Sequence, residues 1–214
     1  MLISPRFDAQ IDAATRPFKL GIFGGTFDPV HVGHLYIAEC AREQFDLDGV
    51  LFIPTGKPAY KINTVSNAED RYAMLLAGIA GNEHFDVSRI EMDRTGTTFT
   101  IDTLTLLKGR YGDRAELFFI VGSDTAADIA QWKRADEIKG MVTFLCAGRK
   151  ISEDMRLAML HNNKGFDLRF IDSLLIDVSS GQLRELVRGR RSIRYLVTDA
   201  VCAYISEQGL YRGQ

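Results

Sequence analysis

The chain has 214 residues, 46% of them hydrophobic and 25% charged, which is enough apolar material for a sizeable core and suits one ordinary globular domain. Its 26 basic and 28 acidic residues leave a net charge of −2, so no basic excess indicates a nucleic-acid partner. The apolar runs are too short to span a membrane and no hydrophobic signal segment opens the sequence, so we expect a cytoplasmic protein without a membrane partner.

The order of predicted elements indicates the fold class. Residues 1–17 are polar and are expected to form a flexible leader, followed by one domain over residues 18–214. Short apolar runs predict strands at 19–23, 50–53, 85–90, 116–121, 142–146 and 168–170. Helices are predicted at 35–45, 67–79, 100–107, 153–160, 180–187 and 198–208. This alternation predicts an α/β, Rossmann-like, doubly wound parallel sheet with helices on both faces, and a ligand at the carboxyl ends of the strands.

The three cysteines, Cys40, Cys146 and Cys202, lie far apart in apolar surroundings. An odd number with no ligand spacing predicts reduced core thiols.

The most informative stretch is G-I-F-G-G-T-F-D-P-V-H-V-G-H, residues 21–34. Gly24, Gly25 and Thr26 follow the first predicted strand, where glycines let backbone N–H groups approach a ligand and permit positive φ. A helix predicted to begin near His34 would offer its positive end to an anion. The stretch therefore predicts a phosphate-binding loop, although it is neither the Walker loop nor the dinucleotide-binding fingerprint.

His31 and His34 are two of the four histidines of the chain and lie three positions apart. At the start of a helix this spacing turns both rings toward one region, where each can donate a hydrogen bond to a phosphate oxygen and stabilise charge during phosphoryl transfer. Two alternatives stay open from spacing alone. The pair is an incomplete metal site, or it only caps a turn.

Here the sequence resembles a known family. G-G-T-F-D-P-V-H-V-G-H is similar to the signature of the nucleotidylyltransferase superfamily, with its H-x-G-H element. Further segments resemble bacterial nicotinate-mononucleotide adenylyltransferase, and together they cover about residues 19–211. They are F-I-V-G-S-D at 119–124 with Trp132 beyond it, T-F-T-I-D-T-L at 98–104, V-S-S-G-Q-L-R at 178–184, and the closing V-C-A-Y-I-S-E-Q-G-L-Y at 201–211.

The resemblance implies a reaction in which the 5′-phosphate of nicotinate mononucleotide attacks the α-phosphorus of ATP and pyrophosphate leaves. It implies catalytic roles for His31, His34 and Arg184. The residues implied to bind ATP are Gly24, Gly25, Thr26, Phe27, Gly122, Asp124, Ser180 and Lys61. Those implied to bind the mononucleotide are Thr98, Phe99, Thr100, Trp132 and Arg149. Mg²⁺ is implied as the cofactor, held mainly through the ATP phosphates because no dense carboxylate cluster is present.

Simpler interpretations of several of these residues stay open. Ser180 and Arg184 could be an ordinary helix cap and a solvated side chain, Trp132 a core residue, and Asp124 the N-cap of the turn after it. Thr100 is expected to cap the helix that follows it, whose positive end favours a carboxylate over a carboxamide.

The chain also departs from the family pattern, with Gly181 in place of a threonine, Phe99 in place of a tyrosine, and Tyr60 in place of a histidine beside Lys61. The sequence therefore leaves other functions open: transfer to nicotinamide mononucleotide or another phosphorylated acceptor, or nucleotide binding without catalysis. A homo-oligomer is possible.

Overall fold

We analysed a computed structural model, which describes residues 3–56, 66–148 and 152–212. Six parallel strands form one sheet in the order β3-β2-β1-β4-β5-β6. Their bounds are β1 Phe18–Gly25, β2 Gly49–Pro54, β3 Phe85–Val87, β4 Ala115–Gly122, β5 Thr143–Ala147 and β6 Leu168–Phe170. The α/β, Rossmann-like prediction is confirmed, because every described strand pair is parallel and the order reverses between β1 and β4.

The six predicted helices are present in the described residues, four of them between strands and two after the last strand, and three further short helices were not predicted. Their bounds are α1 Phe7–Ala13, α2 Val32–Gln44, α3 Ala68–Ile79, α4 Thr100–Tyr111, α5 Ser123–Ala126, α6 Ala135–Ile138, α7 Glu153–Asn162, α8 Ser180–Arg188 and α9 Asp199–Glu207, with 3₁₀ turns at Gly112–Arg114 and Ile129–Gln131. The Asn67 side chain accepts the Asp70 N–H at 2.8 Å and thereby caps α3. Ser152, Ser179 and Thr198 cap α7, α8 and α9 in the same way.

Two apolar cores lie on opposite faces of the sheet, because successive side chains of a strand point to opposite sides. In β4, Phe119 packs into one core and Phe118 into the other. Cys146 is a buried core thiol, as predicted, whereas Cys40 and Cys202 are only partly buried. Within the described ranges no helix is long and apolar enough to cross a membrane.

The prediction of a flexible leader over residues 1–17 is wrong for its central part. Residues Phe7–Ala13 form α1, and the side chains of Phe7 and Ile11 are buried on one face of it. The Phe7 ring packs against Gly49, where a Cβ atom would lie 2.4 Å from the ring. The polar composition of the segment hides this helix, since only the four-residue spacing of Phe7 and Ile11 indicates it.

Candidate active site

A crevice opens at the carboxyl edge of the sheet, where β1 and β4 run side by side. β1 ends at Gly25 and β4 at Gly122, and the connections that follow them leave in opposite directions. A cavity of 320 Å³ lies at this point. The predicted site residues that line it are Gly24, Gly25, Thr26, Thr98, Phe99, Thr100, Gly122 and Trp132. The structure thus brings together residues from three separate segments of the sequence.

The two predicted histidines meet beside this crevice. His31 occupies the N-cap position of α2 and His34 lies in its first turn. Their rings stack with centroids 3.6 Å apart and planes at 23°, and the backbone N–H of His31 lies 3.3 Å from Nδ1 of His34. The predicted convergence of the two imidazoles is therefore confirmed.

His34 is held as a neutral hydrogen-bond donor. Burial, followed by the proximity of His31, lowers the pKa of His34 well below its ordinary value. Because its Nδ1 accepts the His31 N–H, the single ring proton resides on Nε2. The edges of Phe23 and Phe27 enclose the ring at centroid distances of 6.0 Å and 5.0 Å. A neutral imidazole with Nε2–H can donate to an anionic oxygen without itself giving up a proton.

The glycine of the H-x-G-H element lets the two rings pack in this way. A Cβ atom at Gly33 would lie 3.1 Å from Nδ1 of His31 and 3.0 Å from a methyl group of Val178. A side chain here would therefore displace either the His31 ring or the segment before α8. The glycine is required for close approach rather than for an unusual backbone angle.

Gly24 and Gly25 do not use the positive φ that glycine permits, because they are the regular last residues of β1. Positive φ occurs instead at Phe27, at 51°. This conformation costs a non-glycine residue about 1 kcal/mol, and the burial of the Phe27 ring among Phe23, Phe52 and His34 offsets that cost. The ring folds back over Gly25, where a Cβ atom would lie 2.9 Å from it.

The N-terminus of α8 packs onto the same loop. Ser180 donates its hydroxyl to the carbonyl oxygen of Pro29 at 2.8 Å, and Arg184 donates from Nη1 to that of Asp28 at 2.8 Å. Neither side chain is a simple surface group, and the capping role belongs to Ser179, which accepts the Gln182 N–H at 3.2 Å. The positive end of α8 is thereby fixed beside the histidines.

Asp28 is the buried acidic residue of this loop and was not predicted as a site residue. Its carboxylate is buried and accepts the hydroxyl of Tyr211 at 2.7 Å. Burial and this hydrogen bond raise the pKa of Tyr211, so its hydroxyl keeps its proton and remains a donor. The closing segment of the chain therefore supports the loop that carries the histidines.

Arg71 is a second supporting residue that was not predicted from the sequence. Its guanidinium is buried and donates to the carbonyl oxygens of Thr26 at 2.9 Å and Thr55 at 2.7 Å. Burial lowers the pKa of Arg71, and the nearby Asp28 opposes that shift. Its position three and four residues before the buried Met74 and Leu75 places it on the core-facing side of α3, and this spacing was the available signal.

Aromatic side chains form the other end of the crevice. Trp132 packs edge-on against Phe119, with centroids 6.1 Å apart, and against Phe144 at 5.8 Å. It is thus partly a core residue, yet it also lines the cavity. Thr100 is the first residue of α4 and does not cap it, since Phe99 holds the N-cap position without a side-chain hydrogen bond. The N-terminus of α4 nevertheless faces the cavity, as predicted.

Two charged residues line this aromatic end without having been predicted. The Lys133 ammonium lies 3.7 Å from the centre of the Phe99 ring, in a cation–π contact. Glu91 accepts the Thr103 hydroxyl at 2.7 Å, and burial raises its pKa against the opposing effect of that hydrogen bond. Lys133 directly follows Trp132, so adjacency to the tryptophan was its only sequence signal.

Among the remaining predicted residues, the described Asp124 does not line the cavity. Asp124 is exposed in the first turn of α5, and its interpretation as an N-cap is wrong because Gly122 holds that position. Lys61 and Arg149, with Tyr60, lie outside the described residues. No group of three histidine, cysteine or acidic side chains suited to a metal ion occurs in the part of the chain that the structure describes.

Comparison with known proteins places this geometry in context. The cytidylyltransferase-like family model matches residues 22–186. A protein of Thermoanaerobacter sp. (strain X514) described as "Probable nicotinate-nucleotide adenylyltransferase" is 41% identical over 205 residues, covering 92% of this chain and 96% of the relative. One of Corynebacterium kroppenstedtii with the same description is 43% identical and covers 90% of both chains.

Among solved structures, nicotinic acid mononucleotide adenylyltransferase of Plasmodium falciparum complexed with NaAD is similar, with a TM-score of 0.72 and 20% identity over 90% of this chain and 97% of that one. At that identity the likeness concerns the fold.

Proposed function

The chain belongs to the cytidylyltransferase-like family and, within it, to the nicotinate-nucleotide adenylyltransferases, and from this we infer that it joins ATP to nicotinate mononucleotide in NAD biosynthesis. The 5′-phosphate oxygen of the mononucleotide forms a new bond to the α-phosphorus of ATP. The bond from that phosphorus to the β-phosphate oxygen breaks, giving nicotinic acid adenine dinucleotide and pyrophosphate. Both reacting phosphates come from the substrates, so catalysis requires alignment and charge stabilisation by the protein.

The observation that carries this proposal is the stacked pair His31 and His34 between the end of β1 and the N-terminus of α8. We place the ATP phosphates there, with Nε2–H of His34 donating to an oxygen whose charge grows as the bond to the α-phosphorus breaks. Ser180 and Arg184 hold the helix terminus against the loop, and the Arg184 guanidinium supplies positive charge near the leaving pyrophosphate. Gly181 retains its backbone N–H for the same purpose.

We place the pyridine ring in the aromatic end of the cavity, beside Trp132 and Phe99. Its carboxylate would then lie near the N-terminus of α4 and the Lys133 ammonium. Both are positive, so they favour nicotinate over the uncharged amide. Thr98 and Thr100 line the cavity and fit this placement. Phe99 lacks the hydroxyl of the family tyrosine, and in this placement the backbone N–H groups of the α4 N-terminus and the charge of Lys133 replace that donor.

The remaining predicted contacts complete the proposed arrangement. Gly122 has open space where a Cβ would lie, which suits the adenosine side of ATP, with Asp124 at the margin. Lys61 and Arg149 stay predictions for phosphate and mononucleotide binding. Mg²⁺ would neutralise the triphosphate and be held mainly by its oxygens and water, since the described residues offer no carboxylate cage. A cytoplasmic location and a homo-oligomer also stay predictions.

A pyrophosphate-release assay with ATP and a panel of acceptors tests the function. We expect turnover with nicotinate mononucleotide and a clear preference for it over nicotinamide mononucleotide. Equal kcat/KM for the two would contradict the proposed carboxylate site. ATP binding without pyrophosphate release from any acceptor would identify a binding protein instead of an enzyme.

A further inference from the structure

A second cavity, of 710 Å³, lies between the end of α8 and α9. None of the histidines, nor Ser180 or Arg184, lines it, so it is separate from the crevice between β1 and β4. Its charged lining consists of Arg188, Arg190, Arg191, Arg194 and Arg212, and we call this surface the arginine cleft. No acidic side chain lines it within the described residues.

The positive charge of the cleft is largely uncompensated. Arg188 pairs with Glu185 at 2.5 Å, and Arg212 donates to the backbone and hydroxyl of Ser206. The guanidinium groups of Arg190, Arg191 and Arg194 make no ion pair or hydrogen bond with any described residue. Several like charges on a chain of net charge −2 repel one another unless an anion neutralises them.

The backbone that carries these arginines is well supported. Arg190 and Arg191 donate their N–H groups to Val187 and Leu186 at 2.9 Å and 2.8 Å. Ile193, between Arg191 and Arg194, is buried in the core. The side chains therefore extend from a fixed segment, whereas a solvated basic tail would show neither feature.

The arginine cleft is also connected to the active site through the backbone. The carbonyl of Leu196, two residues after Arg194, accepts the N–H of Val32 at 3.0 Å, and Val32 directly follows His31. The helix α8 provides a second connection, because its first turns hold Ser180 and Arg184 and its end carries Arg188.

We propose that the arginine cleft is a second nucleotide site, which binds a nucleoside di- or triphosphate and modulates the active site through these two connections. Guanidinium groups bind phosphate oxygens in pairs, and several of them suit a chain of phosphates better than a single one. The partly buried side chains of Val187 and Cys202 line the same cavity and offer a small apolar surface for the base and sugar. The volume suits a small ligand of this class. One positive side chain in the last turn of α8, that of Arg188, is enough to complement the negative end of the helix dipole. The helix dipole therefore does not explain the other arginines of the cleft.

Equilibrium dialysis of the full chain with ATP, in the absence of any acceptor, counts the sites. We expect two ATP per chain for the wild type and one for Arg191→Gln/Arg194→Gln, with the second site weakened about tenfold per arginine. The matched control Arg16→Gln/Arg169→Gln removes the same charge from exposed ion pairs elsewhere and should retain both sites. Thermal unfolding of each variant checks that the fold is intact.

Three outcomes would overturn the proposal. One ATP per wild-type chain excludes a second site, and tripolyphosphate binding as tightly as ATP excludes nucleotide recognition. Binding of single-stranded RNA or anionic vesicles without a second ATP would assign the cleft to a macromolecular surface. Counting the bound ATP does not require catalysis. A protein that binds two ATP per chain but shows no turnover would therefore refute the proposed reaction and still support a second nucleotide site in the arginine cleft.

The modulation has its own kinetic test. GDP, added at an ATP concentration below the one that half-fills the second site in the dialysis experiment, should change the KM for the mononucleotide by about threefold in the wild type and the control, and leave that of Arg191→Gln/Arg194→Gln unchanged. The same change in all three proteins would contradict a connection through the cleft.

Discussion

The two ends of the active-site crevice are built differently. At the histidine end, the loop of residues 24–34 is fixed by the buried Arg71, by the hydrogen bond from Tyr211 to Asp28 and by the first turns of α8. At the aromatic end, Trp132 and Lys133 line the cavity, and the Lys133 ammonium lies over the face of the Phe99 ring. A rigidly held loop suits groups that must be aligned with the reacting phosphorus of ATP. More loosely held side chains suit the recognition of the pyridine ring and its carboxylate. We therefore expect variants at the first end to lower kcat and variants at the second to raise KM.

Replacing His34 should give the largest effect. His34→Ala removes a neutral donor from the proposed phosphate site, and we expect kcat to fall about a hundredfold or more with little change in the KM for the mononucleotide. His161→Ala, on the exposed part of α7, is the matched control and should retain full activity. A fall in kcat of less than about threefold would remove the distinction between the two ends.

Replacing Trp132 tests the aromatic end. Trp132→Ala should raise the KM for nicotinate mononucleotide about tenfold to thirtyfold through loss of ring stacking, while the ATP affinity stays close to that of the wild type. Trp132→Phe should restore most of the loss. Weaker ATP binding with an unchanged mononucleotide KM would mean that the two ends are assigned the wrong way round.

A smaller effect is expected at Lys133. Lys133→Met should reduce the preference for the acid over the amide mononucleotide about fivefold, because an exposed ammonium attracts a carboxylate only modestly. Lys133→Arg keeps the charge and should keep the preference. Steady-state kcat/KM for both acceptors provides the measurement, and an unchanged ratio in the methionine variant would assign the discrimination to the α4 terminus alone.

The smallest effect concerns stability at the histidine end. Since the pKa of His34 is depressed in the folded state, the unfolded chain binds more protons below the ordinary pKa near 6.5, and stability is lost as the pH falls. This group should lower the free energy of unfolding by about 0.7 kcal/mol between pH 7 and pH 6. Urea unfolding of the wild type and His34→Gln measures it, and parallel pH curves for the two proteins would contradict a neutral imidazole with a depressed pKa.

The same contrast explains what could be predicted from the sequence. The histidine loop is a continuous segment, so its residue types and spacing were enough to predict that His31 and His34 converge beside a glycine pair. Arg71, Glu91 and Lys133 reach the site from separate elements, and no local pattern connects them to it. The parallel sheet class also followed from the alternation of elements, whereas Thr100 missed the capping position by a single residue. The energetic balance that permits positive φ at Phe27 depends on tertiary packing and has no local signal.

The helix α1 has a practical consequence for anyone producing this protein. Its Phe7 ring occupies the space beside Gly49 at the beginning of β2, and Ser4 and the backbone of Arg6 bond to Asp86 in β3. A shortened protein that begins at β1 would lack α1. It would expose the apolar surface that Phe7 covers and leave the Asp86 carboxylate without these donors. An N-terminal affinity tag should therefore precede an intact α1 and be joined to it by a spacer, so that the Phe7 ring keeps its packing against Gly49.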